Sequence, residues 1–340
     1  MSNANHSDTP IEIRPARIED SKDIADLFNI AYNNSYPIAE CTDVNKIEDI
    51  IRSKRDIWYV ALHDSKVIAG TVGMPNKWNR TYETCRSVTH PDYRGGGIGK
   101  IIYKESLNTC YDQEDCDLTF GFPRTFNMYM LMHRNLDNPL LLVGYDGGMH
   151  IVEGRREAHL VGITKNPKKD IVRIIPENSD SLYNEFINSN ILSKLSFVNQ
   201  TDKYPEINIV GPHAGYYSKI KNVEIGYSYL PTSRSLQISH AESNRNNVVD
   251  ALASIEKEID VDAEYVFSFV LADKTDFIKD MIKNDFQITS YLPAWYYQDK
   301  KHYDCFMMVK KLYQENPMMY ETQEIIKYFR QNFDEVTKKL

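Results

Sequence analysis

The segment "HPDYRGGGIGK", residues His90 to Lys100, carries four of the chain's fifteen glycines within five positions. A strand-like run, "YETCRSVTH", leads into it, and a run with Ile98, Ile101 and Ile102 at helical spacing follows it. The first N–H groups of a helix have no partner inside the helix, and the helix dipole favours an anion there. Glycines, which lack a Cβ atom, let a phosphate approach that backbone closely. The segment therefore predicts a turn that binds a pyrophosphate.

The runs around this turn alternate between strand-like and helix-like patterns. Strands are predicted over 11–16, over 57–74 with a turn at 63–66, over 82–90 and over 116–122. Helices are predicted over 18–34, over 44–54, from Gly97 onward and over 126–136. The order β-α-α-β-β-β-α-β-α predicts a mixed α/β fold.

Length and charge limit the class of protein. At 340 residues the chain is longer than one hydrophobic core usually supports, so two domains are expected. A net charge of -8 argues against a nucleic-acid partner, because phosphate-binding surfaces carry an excess of Lys and Arg. No apolar run approaches the ~18 residues of a membrane-spanning helix, so no membrane partner is expected.

The spacing of cysteines and histidines gives no metal signature. The five cysteines are scattered and form no C-x-x-C pair, which is typical of free thiols in a reducing cytoplasm. Histidines such as His150, His159, His213 and His302 show no ligand spacing, so no metal site is predicted. The polar start "MSNANHSDTP" lacks the hydrophobic middle of a signal peptide, and we expect residues 1–10 to be a disordered lead of a cytoplasmic protein.

The longer stretch "VTHPDYRGGGIGKIIY" resembles the acyl-CoA-binding motif of the GNAT acetyltransferase superfamily. The core of that motif is Arg or Gln, two residues, Gly, one residue and then Gly or Ala. Arg94, Gly97 and Gly99 fill these three places. The resemblance implies a catalytic GNAT acyltransferase domain over residues 11–165, with acetyl-CoA or another acyl-CoA as co-substrate and no metal.

The same resemblance implies which residues hold the co-substrate. In the family, the amides of the turn bind the CoA pyrophosphate, and the end of the preceding strand borders the pantetheine arm. The residues that the resemblance implies to bind the pyrophosphate are Arg94, Gly95, Gly96, Gly97, Ile98, Gly99 and Lys100. The pantetheine role falls on Ser87, Val88 and Thr89, and Asn127 is a further candidate on the helix after the fifth strand.

Acetyl transfer to an amine also needs a base for the ammonium proton and a donor for the departing thiolate. Many family members place a carboxylate eleven residues before the Arg or Gln of the motif, and Glu83 stands at that distance from Arg94. Glu83 is the candidate base, although strand periodicity equally allows a solvent-facing side chain. The family's thiolate donor is a Tyr on the later helix, and the register leaves two candidates, Tyr129 and His133.

The second half of the chain, after the polar stretch "KNPKKD", repeats a similar order of strands and helices. We interpret residues 166–313 as a degenerate GNAT-like domain, with an unrelated α/β domain as the alternative. The corresponding turn, "SNRNNVVD", has no glycine and offers no room for a pyrophosphate. Residues 314–340 are predicted to form a C-terminal helix that packs on its own domain or forms a homodimer contact.

Three classes of function fit these features. The leading hypothesis is an N-acetyltransferase acting by direct transfer on the amine of a small molecule, such as an amino acid, an amino sugar or a biosynthetic intermediate. The alternatives are a protein lysine or N-terminal acetyltransferase and a non-catalytic module that senses acyl-CoA. Glu83 together with a thiolate donor favours turnover over sensing.

Overall fold

The computed structural model describes residues 10–36, 38–134, 138, 140–177, 186–243, 245–319 and 321–340, without the side chains of 131–134. Almost all of the predicted lead, residues 1–9, lies outside the described residues. The chain forms two compact units. The first unit comprises Met1–Gly121, Met130–Pro139 and Asn166–Lys168, and the second unit comprises Phe122–Tyr129, Leu140–Lys165 and Lys169–Leu340. These bounds differ from a division at residue 165.

The first unit is an open sheet with helices on both faces. Its strands are ordered β1 (Glu12–Pro15), β2 (Ile57–His63), β3 (Lys66–Asn76), β4 (Thr81–Thr89) and β5 (Leu118–Gly121). Its helices are α1 (Ser21–Ala31), α2 (Val44–Ser53) and α3 (Ile98–Tyr111). Neighbouring strands are antiparallel except β4 and β5, which run parallel and are joined by α3. The predicted strands and helices of this unit are confirmed to within a few residues at their ends.

Two apolar clusters hold the helices of the first unit in place. Phe28 of α1 and Val60 of β2 belong to the cluster under α1 and α2. The next residue of β2, Ala61, packs on the opposite face with Ile98 and Ile102 of α3. Because α3 connects two parallel strands, its N-terminus lies at the carboxyl end of β4. The fold thus brings the glycine turn to the end of the central strands.

Helix α4 (Phe126–Arg134) follows β5. The hydroxyl of Thr125 accepts a hydrogen bond from the amide of Met128 at 3.0 Å, which caps the first turn. The helix was predicted over 126–136, and residues 135 and 136 lie outside the described part of the chain.

The second unit begins with a segment that the sequence did not resolve into strands. Two strands, β6 (Leu141–Tyr145) and β9 (Leu160–Lys165), pair antiparallel, and a small hairpin of β7 (His150–Val152) and β8 (Arg155–Glu157) connects them. Gly144 of β6 pairs with Ser290, and a Cβ atom at Gly144 would lie 2.3 Å from the carbonyl oxygen of Thr289. This close approach joins β6 to β17 within the second unit.

The remaining strands of the second unit lie C-terminal to β9. They are β10 (Val172–Ile175), β11 (Val198–Thr201), β12 (Ile209–Val210), β13 (Tyr216–Ile220), β14 (Val223–Leu230), β15 (Ser235–Glu242), β16 (Tyr265–Leu271), β17 (Phe286–Gln298) and β18 (Lys301–Lys311). Six of them continue the sheet from β6 in the order β17-β18-β16-β15-β14-β13. Within this sheet β15 and β16 are parallel, and the other neighbouring pairs from β17 to β13 are antiparallel.

The helices of the second unit are α5 (Arg245–Ala253), α6 (Ile255–Glu258), α7 (Thr275–Lys283) and α8 (Gln323–Lys339). A single helix was predicted over the residues of α5 and α6, but the helix is interrupted at Ser254. Of the helix predicted over 179–195, residues 179–185 lie outside the described residues, and from residue 187 onward a π-helical turn at Ile187–Ile191 and a short 3-10 turn at Leu192–Lys194 stand in its place. Asn and Ser, which fill its middle, are weak helix formers.

The C-terminal helix α8 buries its apolar stripe inside the second unit. Ile326, Phe329, Phe333 and Val336 are almost fully buried. Phe186 packs edge-on against Phe329 and Phe333, with ring centroids 5.6 and 5.9 Å away. Among the described residues, no helix combines the length and the apolar character needed to cross a membrane.

Candidate active site

The glycine turn adopts a backbone that favours glycine. Gly95 has φ +86° and Gly97 has φ +79°, both in the left-handed region. A Cβ atom at either position would meet no heavy atom within 4 Å, so space is open on that side of the turn. The glycines therefore serve the conformation of the turn and leave its surface bare.

The amides of the turn form a group of available donors. No backbone hydrogen bond within the described residues starts from the amides of Gly95 to Gly99. The carbonyl of Gly97 accepts from Lys100 and Ile101 at 3.1 and 3.2 Å, which closes the first helical turn behind these amides. With the positive end of the α3 dipole added, the turn is suited to an anion with several oxygens.

Buried contacts fix the turn on the sheet. The phenol of Tyr93 lies 2.8 Å from Nδ1 of His63, whose ring is almost fully buried. The amide of His90 donates to the carbonyl of Ile68 at 2.8 Å. His90 itself caps the short turn before the glycines, since its Nδ1 accepts from the Asp92 amide at 3.3 Å. It has a structural role here, in keeping with a loop histidine.

The two parallel strands next to the turn separate soon after they begin. Their register joins Thr81 to Leu118, Tyr82 to Thr119 and Glu83 to Phe120, and no described pair continues it beyond that point. The hydroxyl of Thr84 donates to the Phe120 carbonyl at 3.2 Å, so a side chain replaces the next backbone bond. The second half of β4 therefore has one edge without a strand partner in the described structure.

Ser87, Val88 and Thr89 lie on this half of β4. Val88 is buried in the core under α1 and α2, and the hydroxyl of Ser87 lies 2.9 Å from that of Thr71. The carbonyl of Thr89 accepts from Nε of Arg94 at 3.2 Å. The side chains of Ser87 and Val88 are thus used inside the unit, which leaves the free backbone edge of this half of β4 as the part that an extended ligand can pair with.

Glu83 occupies the last paired position before the strands separate. It is half-buried and lies opposite Met74 on β3 and Phe120 on β5. By strand alternation its side chain shares a face with Cys85, which packs on the cluster under α1 and α2. On the other face, the hydroxyl of Tyr103 on α3 forms a hydrogen bond with the hydroxyl of Thr84. Glu83 therefore points away from α3.

The thiols on this face are unreactive at neutral pH. Burial raises the pKa of Cys41 to about 12, and burial raises the pKa of Cys85 well above its usual value. A protonated thiol is a poor nucleophile, so neither side chain suits a covalent acyl intermediate. Tyr32 and Tyr36 line the same cluster, with ring centroids 4.6 Å apart.

Two of the three predicted residues of α4, Asn127 and Tyr129, do not belong to the unit that carries the turn, whereas His133 does. Asn127 is exposed, and Tyr129 is half-buried with its ring centroid 6.1 Å from that of Phe126. Both residues belong to the second unit. His133 lies in the last turn of the helix, and its side chain lies outside the described part of the structure.

A cluster that spacing did not reveal lies in the second unit, on the loop after β6 and around the β7–β8 hairpin. Nδ1 of His150 lies 2.6 Å from one oxygen of the buried Asp146, and the other oxygen accepts from the His159 amide at 2.9 Å. Arg124 holds both oxygens of Glu157 at 2.7 and 2.9 Å. The β6–β9 pairing brings these residues together, so neighbouring sequence positions gave no signal.

The contacts within this cluster determine the protonation states of its side chains. Burial acts to raise the pKa of Glu157, but the hydrogen bonds from His159 and Arg124 outweigh it and bring the pKa to about 2. Burial lowers the pKa of His159, and the neighbouring His150 adds to the effect. The cluster thus pairs ionised carboxylates with a neutral His159.

Asp146, His150 and His159 place ligand atoms within 4.8 Å of one another. Their ring geometry does not suit a shared metal ion. The two imidazoles stack with centroids 4.1 Å apart and planes 15° apart. Because the nitrogen lone pairs lie in the ring planes, two parallel stacked rings cannot both direct a lone pair at one ion. We assign the cluster a structural role.

Residues 21–122 match the family model described as acetyltransferase (GNAT) family. A comparison with curated proteins found no match. Among solved structures, ribosomal-protein-S5-alanine acetyltransferase from Vibrio fischeri is similar, at 12% identity, covering 46% of this chain and 93% of its own, with a TM-score of 0.40.

Two further solved structures show the same level of similarity. A spermidine N-acetyltransferase SpeG mutant from Vibrio cholerae has 14% identity, 46% and 95% coverage and a TM-score of 0.39. PaiA N-acetyltransferase from Thermoplasma acidophilum, in complex with coenzyme A, has 18% identity, 46% and 99% coverage and a TM-score of 0.34. At such low identities and TM-scores these likenesses add no argument about substrate.

The matched range runs from α1 to the residue after β5 and contains both the glycine turn and the site where β4 and β5 separate. Residues 21–122 therefore form a domain of the acetyltransferase (GNAT) family within this chain.

Proposed function

We propose that the protein transfers an acetyl group from acetyl-CoA directly to the amine of a small molecule. The observation that carries the proposal is the continuity of the glycine turn with the free edge of β4. The pairing of β4 with β5 ends at Glu83, so the rest of β4 has a free edge. The donor amides of Gly95 to Gly99 lie shortly after the end of this strand. A ligand with a pyrophosphate and an extended amide-containing arm fits both features at once.

The residues present fit CoA. Arg94 to Lys100 would hold the pyrophosphate through backbone amides, with the side chains of Arg94 and Lys100 adding positive charge. The backbone of Ser87 to Thr89 would pair with the amides of the pantetheine arm. When bound, acetyl-CoA supplies the activated acetyl group as a thioester, and no metal is needed for that chemistry.

Glu83 is the proposed general base. An ammonium group must lose a proton before its nitrogen can attack a thioester, and a half-buried carboxylate at the end of the paired ladder can accept it directly or through a water. The protonated state of Cys41 and Cys85 favours direct transfer over an acyl-enzyme. The thiolate that leaves needs a proton, for which Tyr129 and His133 remain the candidates.

We further propose that the second unit is a GNAT-like copy that runs no reaction of its own. Its strand order supports this interpretation, since β13 to β16 repeat the sequence of three antiparallel strands followed by a parallel one seen in β2 to β5. A small-molecule acceptor and a cytoplasmic location complete the proposal.

The test begins with the turn. In the full chain, Gly97→Glu puts a carboxylate where the pyrophosphate would lie, and we expect acetyl-CoA affinity to fall at least about 30-fold in calorimetry because like charges meet at a close contact. Gly97→Ala is the matched control, since it imposes the same left-handed backbone on a side chain without adding charge. Equal affinity in the wild type and Gly97→Glu would refute the site.

The second step identifies the acceptor. Wild-type protein is incubated with acetyl-CoA and panels of amino acids, amino sugars, polyamines and amine-bearing peptides, and free thiol release is measured. Turnover of small amines supports the proposal. Exclusive turnover of peptides would favour the protein-modifying alternative, and tight CoA binding without turnover of any amine would favour the sensing alternative.

A further inference from the structure

Arg86 sits at an irregularity in β4 that the sequence pattern did not indicate. Gly70 pairs with Val88 and Val72 pairs with Cys85, so two residues of β4, Arg86 and Ser87, oppose the single Thr71. Arg86 has φ +53°, a left-handed backbone that a side chain rarely adopts. This is a β-bulge, a feature that redirects a side chain out of the regular alternation of a strand.

The bulge places the guanidinium on the face of the sheet that carries Glu83. The charge of Arg86 acts on Cys41 and Cys85 and on the phenol of Tyr36, all of which line the cluster under α1 and α2. Glu83 precedes Arg86 by three residues on the same strand and shares the face of Cys85. The candidate base and this arginine thus line the same surface of the first unit.

Arg86 makes no hydrogen bond or ion pair with any residue that the structure describes. Its Nη1 is fully buried and has no hydrogen bond, and no carboxylate of the described residues lies within ion-pair distance of its side chain. The nearby thiols are protonated and therefore neutral. The charges of Asp56 and Glu40 act on Arg86, and Asp56 is itself paired with Arg55, with 3.2 Å between Oδ2 and Nη2.

A buried arginine of the second unit shows what a satisfied one looks like in this chain. Arg173 donates from Nε to both oxygens of Asp304 at 2.8 and 3.0 Å and from Nη1 to Asn199 at 2.9 Å. A buried donor left without a hydrogen bond is unfavourable, so a ligand oxygen that reaches Nη1 of Arg86 is favoured. The contrast indicates that the described residues leave this donor for a ligand.

We propose that Arg86 binds a carboxylate of the acceptor, so that the acceptor is an amine that also carries a carboxylate, such as an amino acid. This inference rests on the proposed acetyl transfer at Glu83 and names the substrate class of that site. A guanidinium offers two parallel donors that match the two oxygens of a carboxylate. The amine end of the same molecule would then face Glu83, and the carboxylate would stay unchanged during the reaction.

The experiment compares amines that differ only in the carboxylate. Each amino acid is tested beside its carboxamide and beside the amine that lacks the group, as substrates with acetyl-CoA and as ligands of the CoA-bound full chain in calorimetry. We expect the wild type to favour the carboxylate-bearing member of a pair by about 10²- to 10³-fold in kcat/KM, because the amide leaves the arginine unpaired. Phosphate-bearing amines form a further arm of the panel.

The variants separate Arg86 from its surroundings. Arg86→Gln should remove the preference for the carboxylate and leave acetyl-CoA affinity within about twofold of the wild type. Arg86→Lys keeps the charge without the paired donors, and we expect it to keep part of the preference, which secures the test if Arg86→Gln does not fold. Arg52→Gln is the control, since Arg52 is an exposed arginine of α2 that pairs with Glu48 and Asp49.

The outcomes distinguish the two proposals. If carboxylate compounds bind to the wild type but not to Arg86→Gln, and no amine is acetylated, the anion site stands and the proposed reaction fails. If amines are acetylated equally well with and without a carboxylate, the reaction stands and the role of Arg86 is overturned. A preference for phosphate-bearing amines alone, or an equal loss with both members of each pair in Arg86→Gln, also overturns it.

Discussion

The parallel pair β4–β5 of the first unit and the parallel pair β15–β16 of the second unit both separate, and the two pairs end in opposite ways. In the first unit, β4 and β5 share three register positions and then part, with no described strand between them. In the second unit, β15 and β16 share four, from Ser235 with Tyr265 to Ile238 with Ser268. The chain then fills the gap, because Ile209 and Val210 of β12 pair with Val270 and Phe269.

The filling segment makes close contacts with both strands of its unit. The amide of Leu271 at the end of β16 donates to the carbonyl of Asn208 at 3.0 Å. On the other side, a Cβ atom at Gly211 would lie 2.8 Å from the Cα atom of Ser239 on β15. Backbone groups of separating strands need partners. The second unit supplies them from its own chain, whereas the first leaves an edge for a ligand.

The helices that follow these strands differ in the same sense. Helix α3 has Gly97 as its N-cap and begins with bare amides, whereas α5 begins at Arg245, whose guanidinium pairs with Asp276 and Asp280 at 3.1 and 3.2 Å. The side chain is committed to α7 and is not available to a phosphate. The comparison teaches that a shared strand order does not carry a shared binding site, and we expect one CoA per chain.

The largest expected effect concerns the open strand pair. Glu83→Gln keeps the size of the side chain and removes its ability to take a proton, so turnover should fall roughly 10²- to 10⁴-fold with acetyl-CoA affinity nearly unchanged. Initial rates with an acceptor from the panel and calorimetry with acetyl-CoA measure the two quantities. Glu105→Gln, an exposed change on α3, is the control. An unchanged rate and pH profile would make Glu83 structural.

The next effect tests the filled strand pair. Gly211→Ala forces a side chain against the backbone of Ser239, so the free energy of unfolding of the second unit should fall by about 1 to 3 kcal/mol. Urea denaturation measures the loss, and Gly215→Ala is the control because its nearest contact, the Ser228 hydroxyl, lies at 3.5 Å. Affinity for acetyl-CoA should stay the same. Binding of a second CoA by Gly211→Ala would contradict the comparison, because it would show that the second unit can bind CoA once β12 is displaced.

A smaller expected effect is the loss of stability of the second unit at low pH. The pKa of Glu157 falls from an ordinary 4.5 to about 2 in the folded state, so its contribution to stability is present above 4.5 and lost as pH falls towards 2. His159 has a lowered pKa, and the unfolded chain takes its proton first as pH falls through about 6.5, which also destabilises the fold.

This acid sensitivity should belong to the second unit. Urea midpoints measured between pH 7 and pH 3 should fall for the wild type, and Glu157→Gln, which cannot titrate there, should start lower and show a shallower decline. Parallel declines in both proteins would show that other carboxylates carry the pH dependence.

The smallest expected effect is at the start of α5. Arg245→Ala removes an exposed pair of contacts to Asp276 and Asp280 and should change neither acetyl-CoA affinity nor the number of CoA molecules bound. Calorimetric titration of the full chain measures both. A measurable loss of CoA binding would assign phosphate recognition to the second unit.

The sequence by itself determined the elements that depend on neighbouring residues. The glycine turn between β4 and α3, the alternation of strands and helices in residues 11–134 and the absence of a comparable turn before α5 all follow from spacing and from the conformational freedom of glycine. The same stretch carried the family resemblance, which residues 21–122 confirm.

Only the tertiary structure decided the features that depend on register between distant strands. The bulge that redirects Arg86 exists because β4 has one residue more than the facing part of β3, and β12 fills its gap because Ile209 meets Val270, far along the chain. Asp146 and His159 likewise meet through the pairing of β6 with β9. A single sequence contains no local signal for such pairings, because each is selected by the free energy of the whole sheet and not by the residues next to it.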